Sequence, residues 1–250
     1  MSATIQLCGR LAVDLDGERI ETKLPGRQGR LLFAYLVLNR NRVVSRSELV
    51  DAVWSAELPR DPADALAALL SKLRTVLGNE RLQGRSELQL VLPVDARIDV
   101  ERALATVHEA ESACSLQDWP RAWAAALSAQ LVAQRRLLGE YEAPWIDEWR
   151  ATMDDVFARS LECYGTACLG LGGTEVAGAE RAARRLVRAA PLRESGTVLL
   201  MRALEERGNV AEALLAYESL RRTLRDELGI APTESLQAAY RRLLDATAAD

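Results

Sequence analysis

The chain has 250 residues, room for one large domain or two ordinary ones, and its 49% hydrophobic and 27% charged residues suit a folded core rather than disorder. One histidine, His108, and four cysteines without C-x-x-C spacing (Cys8, Cys114, Cys163 and Cys168) leave little material for a metal cage or a catalytic triad. The net charge of -4 is uneven: residues 1–92 carry 13 Lys and Arg against 11 Asp and Glu, net +2, and residues 93–250 carry 19 against 25, net -6. The first part is the better candidate for meeting nucleic acid.

Residues 1–10 lack the charged-then-apolar layout of a secretory leader, and no stretch reaches the roughly 20 apolar residues of a bilayer span. A cytoplasmic protein with reduced cysteines and no membrane partner is expected, with disorder only in the tail, 245–250. From 5 to 20, apolar and polar residues alternate around Asp14-Leu15-Asp16-Gly17, which predicts two short antiparallel strands and a hairpin. After Pro25-Gly26, residues 27–38 place Leu31, Leu32, Tyr35 and Leu38 at helical spacing, with Arg27 and Arg30 on the outer face. Ser45 and Glu48 read as a capping box before a second helix, whose buried side is Leu49, Val50, Val53 and Trp54.

Asp61-Pro62 opens a third helix, because Asp caps free N–H groups and proline suits a first turn that needs no donor. It should run to Leu77 and stop at Gly78. Leu66, Leu69, Leu70, Leu73 and Leu77 form its apolar stripe, opposite Asp64, Ala68, Ser71, Lys72 and Thr75. Residues 80–92 read as strand, bend at Gln83-Gly84-Arg85, and strand. Strands, three helices and a closing hairpin make a winged helix.

The run Arg42-Val-Val-Ser-Arg-Ser-Glu-Leu-Val-Asp-Ala-Val-Trp54, followed by a helix ending Ser71-Lys-Leu-Arg-Thr-Val-Leu77, resembles the OmpR-type DNA-binding domain of the Streptomyces antibiotic regulatory protein family. The resemblance implies that the third helix enters the major groove and the wing touches adjacent backbone. It places Ser71, Lys72 and Thr75 on the recognition helix, Arg81 and Arg85 in the wing, and Arg42 and Arg46 near phosphates. The chain departs from the family pattern in two ways. The exposed helix face lacks the Arg, Asn or Gln that pair bidentately with bases, and Leu88-Gln89-Leu90 stands where a Gly-Tyr pair is usual. Arg27, Arg30, Arg40, Arg42 and Arg46 also read, more plainly, as a solvated basic face.

Pro93 closes this domain, 1–93, and residues 95–99 read as a connector whose Asp99 caps the next helix. Residues 94–250 form a second, helical domain, with helices over 100–113, 119–138, 144–171, 174–190, 193–207, 210–228 and 235–246, punctuated by Gly139, Gly172-Gly173, Pro191, Gly208-Asn209 and Gly229. Gly170-Leu-Gly172-Gly173 follows a helix and reads as a helix stop rather than a phosphate loop. Ala182, Leu186 and Ala189 recur 31 positions later as Ala213, Tyr217 and Leu220, and the turn Ala177-Gly178 as Gly208-Asn209, close to the period of tetratricopeptide repeats. Asn209-Val-Ala-Glu-Ala-Leu-Leu-Ala-Tyr217 and Leu228-Gly229-Ile-Ala-Pro232-Thr are similar to the bacterial transcriptional activator domain, loosely back to Asp99.

The fold expected is therefore mainly α: an α+β winged helix followed by an all-α, tetratricopeptide-like repeat domain. Trp119 with Trp123 and Trp145 with Trp149, each at i and i+4, read as packing residues. Arg181, Arg184, Arg185 and Arg188 read as a solvated stripe or a dock for an acidic partner. His108 is expected to be structural, and neither catalysis, metal nor cofactor is expected. The family resemblance implies a transcription regulator, an activator that binds double-stranded promoter DNA and recruits RNA polymerase through its sigma and alpha subunits, with a homodimer and an unknown small-molecule ligand as further possibilities. The alternative is a protein-interaction or ligand-sensing module whose winged helix no longer reads DNA.

Overall fold

Residues 3–6 and 12–15 alternate sides, Ala3, Ile5, Val13 and Leu15 going inward, and form strands β1 (Ala3–Gln6) and β2 (Ala12–Leu15). In this computed structural model, which describes residues 2–55 and 57–248, the two are antiparallel with Ile5 opposite Val13. The hairpin turn at Asp16-Gly17, both with positive φ, joins β2 to a third strand, β3 (Glu18–Arg19), rather than to β1. The two-strand expectation is thus corrected to a three-strand meander, because Gly9, with φ of 88°, turns the chain a first time.

Helix α1 (Gly26–Leu38) follows, then strand β4 (Val44–Ser45) and helix α2 (Arg46–Val53). The capping box forms, with Ser45 Oγ accepting from the Glu48 N–H. Helix α3 (Pro62–Leu77) begins at an Asp61 cap and buries Leu66, Leu70, Leu73 and Leu77. Strands β5 (Leu82–Gln83) and β6 (Glu87–Leu90) make the wing, and β4 completes a sheet of order β4-β6-β5. The expected connector at 95–99 contains instead a strand, β7 (Arg97–Ile98), parallel to β1 with Ile98 opposite Ile5, so the first sheet runs β3-β2-β1-β7. Two residues are too few to show a pattern; the open edge of β1 recruits them.

The helices that follow are α4 (Asp99–Ser115), α5 (Trp119–Ala133), α6 (Pro144–Leu171), α7 (Val176–Ala189), α8 (Glu194–Glu206), α9 (Val210–Leu228) and α10 (Glu234–Ala248). Among the described residues the chain divides into two compact units, residues up to 102 with 135–153, and residues 103–134 with 154 onward. In the first unit, the stretch after α5 packs on the small sheet. Leu138 N–H donates to Leu7 O and Gly9 N–H to Arg136 O, both at 2.9 Å, and Leu137 and Leu138 are almost fully buried. The helix expected over 119–138 therefore ends at Ala133, since burying two leucines and satisfying β1 outweighs another helical turn. Arg150 fastens the stretch, donating to the carbonyls of Leu137, Leu138 and Tyr141.

Asp99 does more than cap. Its carboxylate accepts from the N–H groups of Leu7, Cys8 and Val100, each at 2.9 Å. Its carboxyl is raised above the usual range, burial outweighing these bonds.

In the second unit α7 packs on α8, α8 on α9 and α9 on α10, around a core that includes Leu200, Leu204, Tyr217, Leu220 and Leu236. Tyr217 and Tyr240 stack with centroids 4.1 Å apart. The repeat echo is realised at Ala182, Leu186, Ala213, Tyr217 and Leu220, all buried, whereas Ala189 is exposed. Ala177-Gly178 is not a turn; it lies inside α7, where a Cβ on Gly178 would come within 3.1 Å of Cys168 Sγ. The glycine there serves close packing of α6 and α7. The turn falls at Gly172-Gly173, both with positive φ, and opens a 3-10 turn, Gly173–Glu175, where α-helix had been expected from 174. Residues 245–248 of the expected disordered tail continue α10, and residues 249 and 250 lie outside the described residues. No helix among the described residues is long and apolar enough to cross a membrane.

Candidate nucleic-acid interface

The apolar stripe of α3 fixes what its other face presents. With Leu66, Leu70, Leu73 and Leu77 inward, Asp64, Ala67, Ala68, Ser71, Lys72 and Thr75 are exposed. Thr75 spends its hydroxyl on the Ser71 carbonyl at 3.1 Å, one turn back, while Lys72 has no ion pair among the described residues. This face is sterically open and weakly charged.

The wing is tied to the helices by two arginines. Arg74, which the sequence reading passed over, donates from Nη2 to Gly84 O at 2.7 Å and from Nε to Leu82 O at 3.3 Å. Arg46, at the start of α2, donates to Arg85 O at 3.3 Å. These contacts bring Arg46, Arg74 and Arg85 together at the wing loop, with the Arg85 side chain exposed. Arg74 could have been suspected from its place in the last turn of α3, where a cation complements the helix dipole.

Arg42, expected near phosphates, and Arg81, expected in the wing, are engaged inside the unit. Arg42 pairs with Glu48, whose carboxylate also accepts the Tyr35 hydroxyl at 2.5 Å. The Arg42 guanidinium holds the Glu48 carboxyl below its ordinary value, and the same cluster pushes the Tyr35 phenol up to about 12, burial being the larger cause. Arg81 donates to Asp16 in the β2–β3 turn at 2.5 Å and to Leu77 O, with only 17% of its side chain exposed. Among the described residues, Lys72, Arg85 and Arg46 are thus the expected site cations with no ion pair, Arg46 being bound only to a backbone carbonyl.

The wider basic face is not simply solvated. Arg40 forms a two-pronged pair with Glu101 at 2.7 Å, Arg30 donates to Glu21 O, and Arg27 lies 4.9 Å from the Tyr141 ring centroid. These arginines find partners because a strand end, the returning segment and α4 offer a carbonyl, a ring and a carboxylate that a linear pattern does not reveal. In the second unit Arg184 pairs with Glu180 and Glu212, and Arg185 sits over Phe157, leaving Arg181 and Arg188 exposed without an ion pair among the described residues. Of the tryptophans, Trp145 donates to Ala52 O at 3.0 Å and meets Tyr35 edge to face, Trp123 lies 5.8 Å from Tyr164, and Trp119 lies on Gly170. His108 is exposed beside Glu111 and Arg159.

Glu48 makes one prediction. Its folded-state pKa is depressed, so its contribution is present above the unfolded value and is lost as pH falls through the folded value. Glu48→Gln should reduce stability by about 1 kcal/mol at about pH 6 and by much less near about pH 3, measured by denaturant titration at both.

A helix–turn–helix with this wing compares well with known proteins. Residues 20–90 match the family described as "Transcriptional regulatory protein, C terminal", and residues 98–244 match "Bacterial transcriptional activator domain". The chain belongs to the Streptomyces antibiotic regulatory protein family. The regulatory protein AfsR of Streptomyces coelicolor is 34% identical over 92% of this chain and 23% of its own length. The transcriptional regulator RedD of the same organism is 31% identical over 86% of this chain and 63% of its own. The solved structure of Mycobacterium tuberculosis EmbR in complex with a low-affinity phosphopeptide has the same fold, with a TM-score of 0.86 at 22% identity, covering 98% of this chain and 65% of that one. The chain therefore spans about a quarter of AfsR and just under two thirds of RedD and of the EmbR chain. RedD and EmbR are named as transcriptional regulators and AfsR as a regulatory protein.

Proposed function

We propose that this protein is a DNA-binding transcriptional regulator, an activator that places α3 in the major groove of promoter DNA and the wing loop on the adjacent backbone. The observation that carries the proposal is the open α3 face beside a wing braced by Arg46 and Arg74, with Lys72 and Arg85 free to meet phosphate. Ser71 and Thr75 supply small polar contacts to the groove, and Arg46 a backbone contact beside them. Arg42 and Arg81 act by holding the scaffold, with phosphate contact requiring release of their carboxylates. Membership of the family supports RNA polymerase, through its sigma and alpha subunits, as the partner, and the helical residues from 94 onward as the dimerising and polymerase-contacting domain, with 1–93 as the DNA-binding one. A cytoplasmic location follows from that role.

The α3 face contains no Arg, Asn or Gln, so sequence discrimination rests on phosphate placement and groove shape more than on bidentate base pairing. The same observation favours the second reading, an interaction or ligand-sensing module that has lost DNA reading. Selection from a random duplex library at low and moderate salt separates them. An enriched motif is expected, with affinity falling steeply with salt. A Lys72→Glu, Arg85→Glu double variant should bind that motif about 10–100-fold more weakly, with a shallower salt dependence. No enrichment at either salt would move the assignment to the interaction module.

A further inference from the structure

Cys114 on α4 and Cys163 on α6, 49 positions apart in sequence and both in the second unit, meet at one surface cleft. The Cys114 thiol donates to the Cys163 carbonyl at 3.7 Å, and the two side chains pack in one cluster. Cys114 is half-buried and Cys163 nearly covered. The cleft has a volume of about 220 Å³ and reaches both, with Thr166 beside them and Arg159 and Arg193 at its rim. Such a space admits a small oxidant. Arg159 is two-pronged on Glu111, and Arg193 reaches Glu162, so each of the two carboxylates lining the cleft has an arginine partner.

We propose that Cys114 and Cys163 are an oxidisable dithiol, a modification site at which hydrogen peroxide or a related peroxide converts the two thiols to a disulfide joining α4 and α6. Cys114 is the attacking sulfur. The neighbouring Cys163 thiol holds Cys114 below the ordinary thiol value, although burial and the Glu111 and Glu162 charges oppose this. Cys163 is pushed up, first by the neighbouring Cys114 thiol and then by burial, and is the resolving thiol. Cys8 and Cys168 are fully buried and both raised by burial, Cys8 to about 12, which makes them inert by comparison.

The chemistry balances without a further reactant. The Cys114 thiol ionises and its thiolate attacks one peroxide oxygen; the O–O bond breaks, an S–OH group forms, and the leaving hydroxide takes up the proton released by that ionisation as water. Cys163 sulfur then attacks Cys114 sulfur, the S–S bond forms, the S–O bond breaks, and the departing hydroxide takes the Cys163 proton as a second water. Two thiols are oxidised by two electrons and one peroxide is reduced to two waters.

The test uses the full chain under native conditions, with intact-mass and peptide mass spectrometry. Peroxide should yield a species about 2 Da lighter, reversible by a thiol reductant, with Cys114 and Cys163 in one cross-linked peptide and Cys8 and Cys168 alkylated only after denaturation. Phenylarsine oxide added to the native chain, where it bridges neighbouring thiols, should leave only two of the four thiols titratable once the chain is denatured. Cys114→Ser or Cys163→Ser should lose both effects, and Cys168→Ser should keep them. Oxygen adducts without the Cys114–Cys163 cross-link, or a cross-link through Cys8 or Cys168, would overturn the proposal. The decisive readout is on the unsubstituted chain and so does not depend on a variant folding.

Discussion

Gly84→Ala should lower the stability of the first unit by about 2–4 kcal/mol, through left-handed strain and overpacking together. Gly84 has φ of +92°, and a Cβ there would stand 1.8 Å from the carbonyl oxygen of Glu87 on the facing strand. A side chain cannot swing away from that contact, because both atoms belong to the backbone of the wing. Gly17→Ala is the matched control: its φ is +84°, but nothing lies within 4 Å of the added atom, so it should cost only about 1–2 kcal/mol. Urea titration gives both, read as a shift of midpoint at unchanged slope. Because Gly84 O accepts from Arg74, opening the loop also frees the wing from α3. DNA affinity of the folded Gly84→Ala fraction should then drop about tenfold, whereas Gly17→Ala should leave it unchanged. Equal destabilisation by the two substitutions would show that the wing relaxes around the clash.

Asp99→Ala should be as damaging, at about 3–5 kcal/mol, since it strands three N–H groups that have no other partner among the described residues, at the end of β1 and the start of α4. Asp99→Asn keeps one accepting oxygen and should cost about 1–2 kcal/mol. The carboxyl of Asp99 is raised in the folded state, so its titration makes stability fall as pH rises through the folded value. That is the opposite sense to Glu48. Mild acid should therefore weaken the unit through Glu48 while sparing the Asp99 junction, and Asp99→Asn should leave the acid-side loss in place. Hydrogen exchange provides a local reading: in Asp99→Ala the amides of Leu7 and Cys8 should lose protection before those of α3. If their protection is unchanged, water has taken the carboxylate's place.

Much of the fold could be read along the chain because it is written in short-range chemistry. The Ser45 and Asp61 caps, Pro62, the stop at Gly78, the leucine stripe of α3 and the α6 and α9 boundaries all depend on neighbours within a turn or two, where capping and helical period act directly. The open face with Ser71, Lys72 and Thr75 follows from that stripe alone. What the sequence by itself could not determine is pairing across distance. Strand β7 exists because β1 has an edge to satisfy, α5 ends early because Leu137 and Leu138 are buried against that strand, and Asp99 serves residues more than ninety positions away. The same holds at the site: Arg42, Arg46, Arg74, Arg81 and Arg85 look alike as letters. Only the tertiary structure separates those bound to Glu48, Asp16 or the wing carbonyls from Arg85, whose side chain has no ion pair among the described residues, since a charge is committed or free according to which acceptors folding brings within about 3 Å.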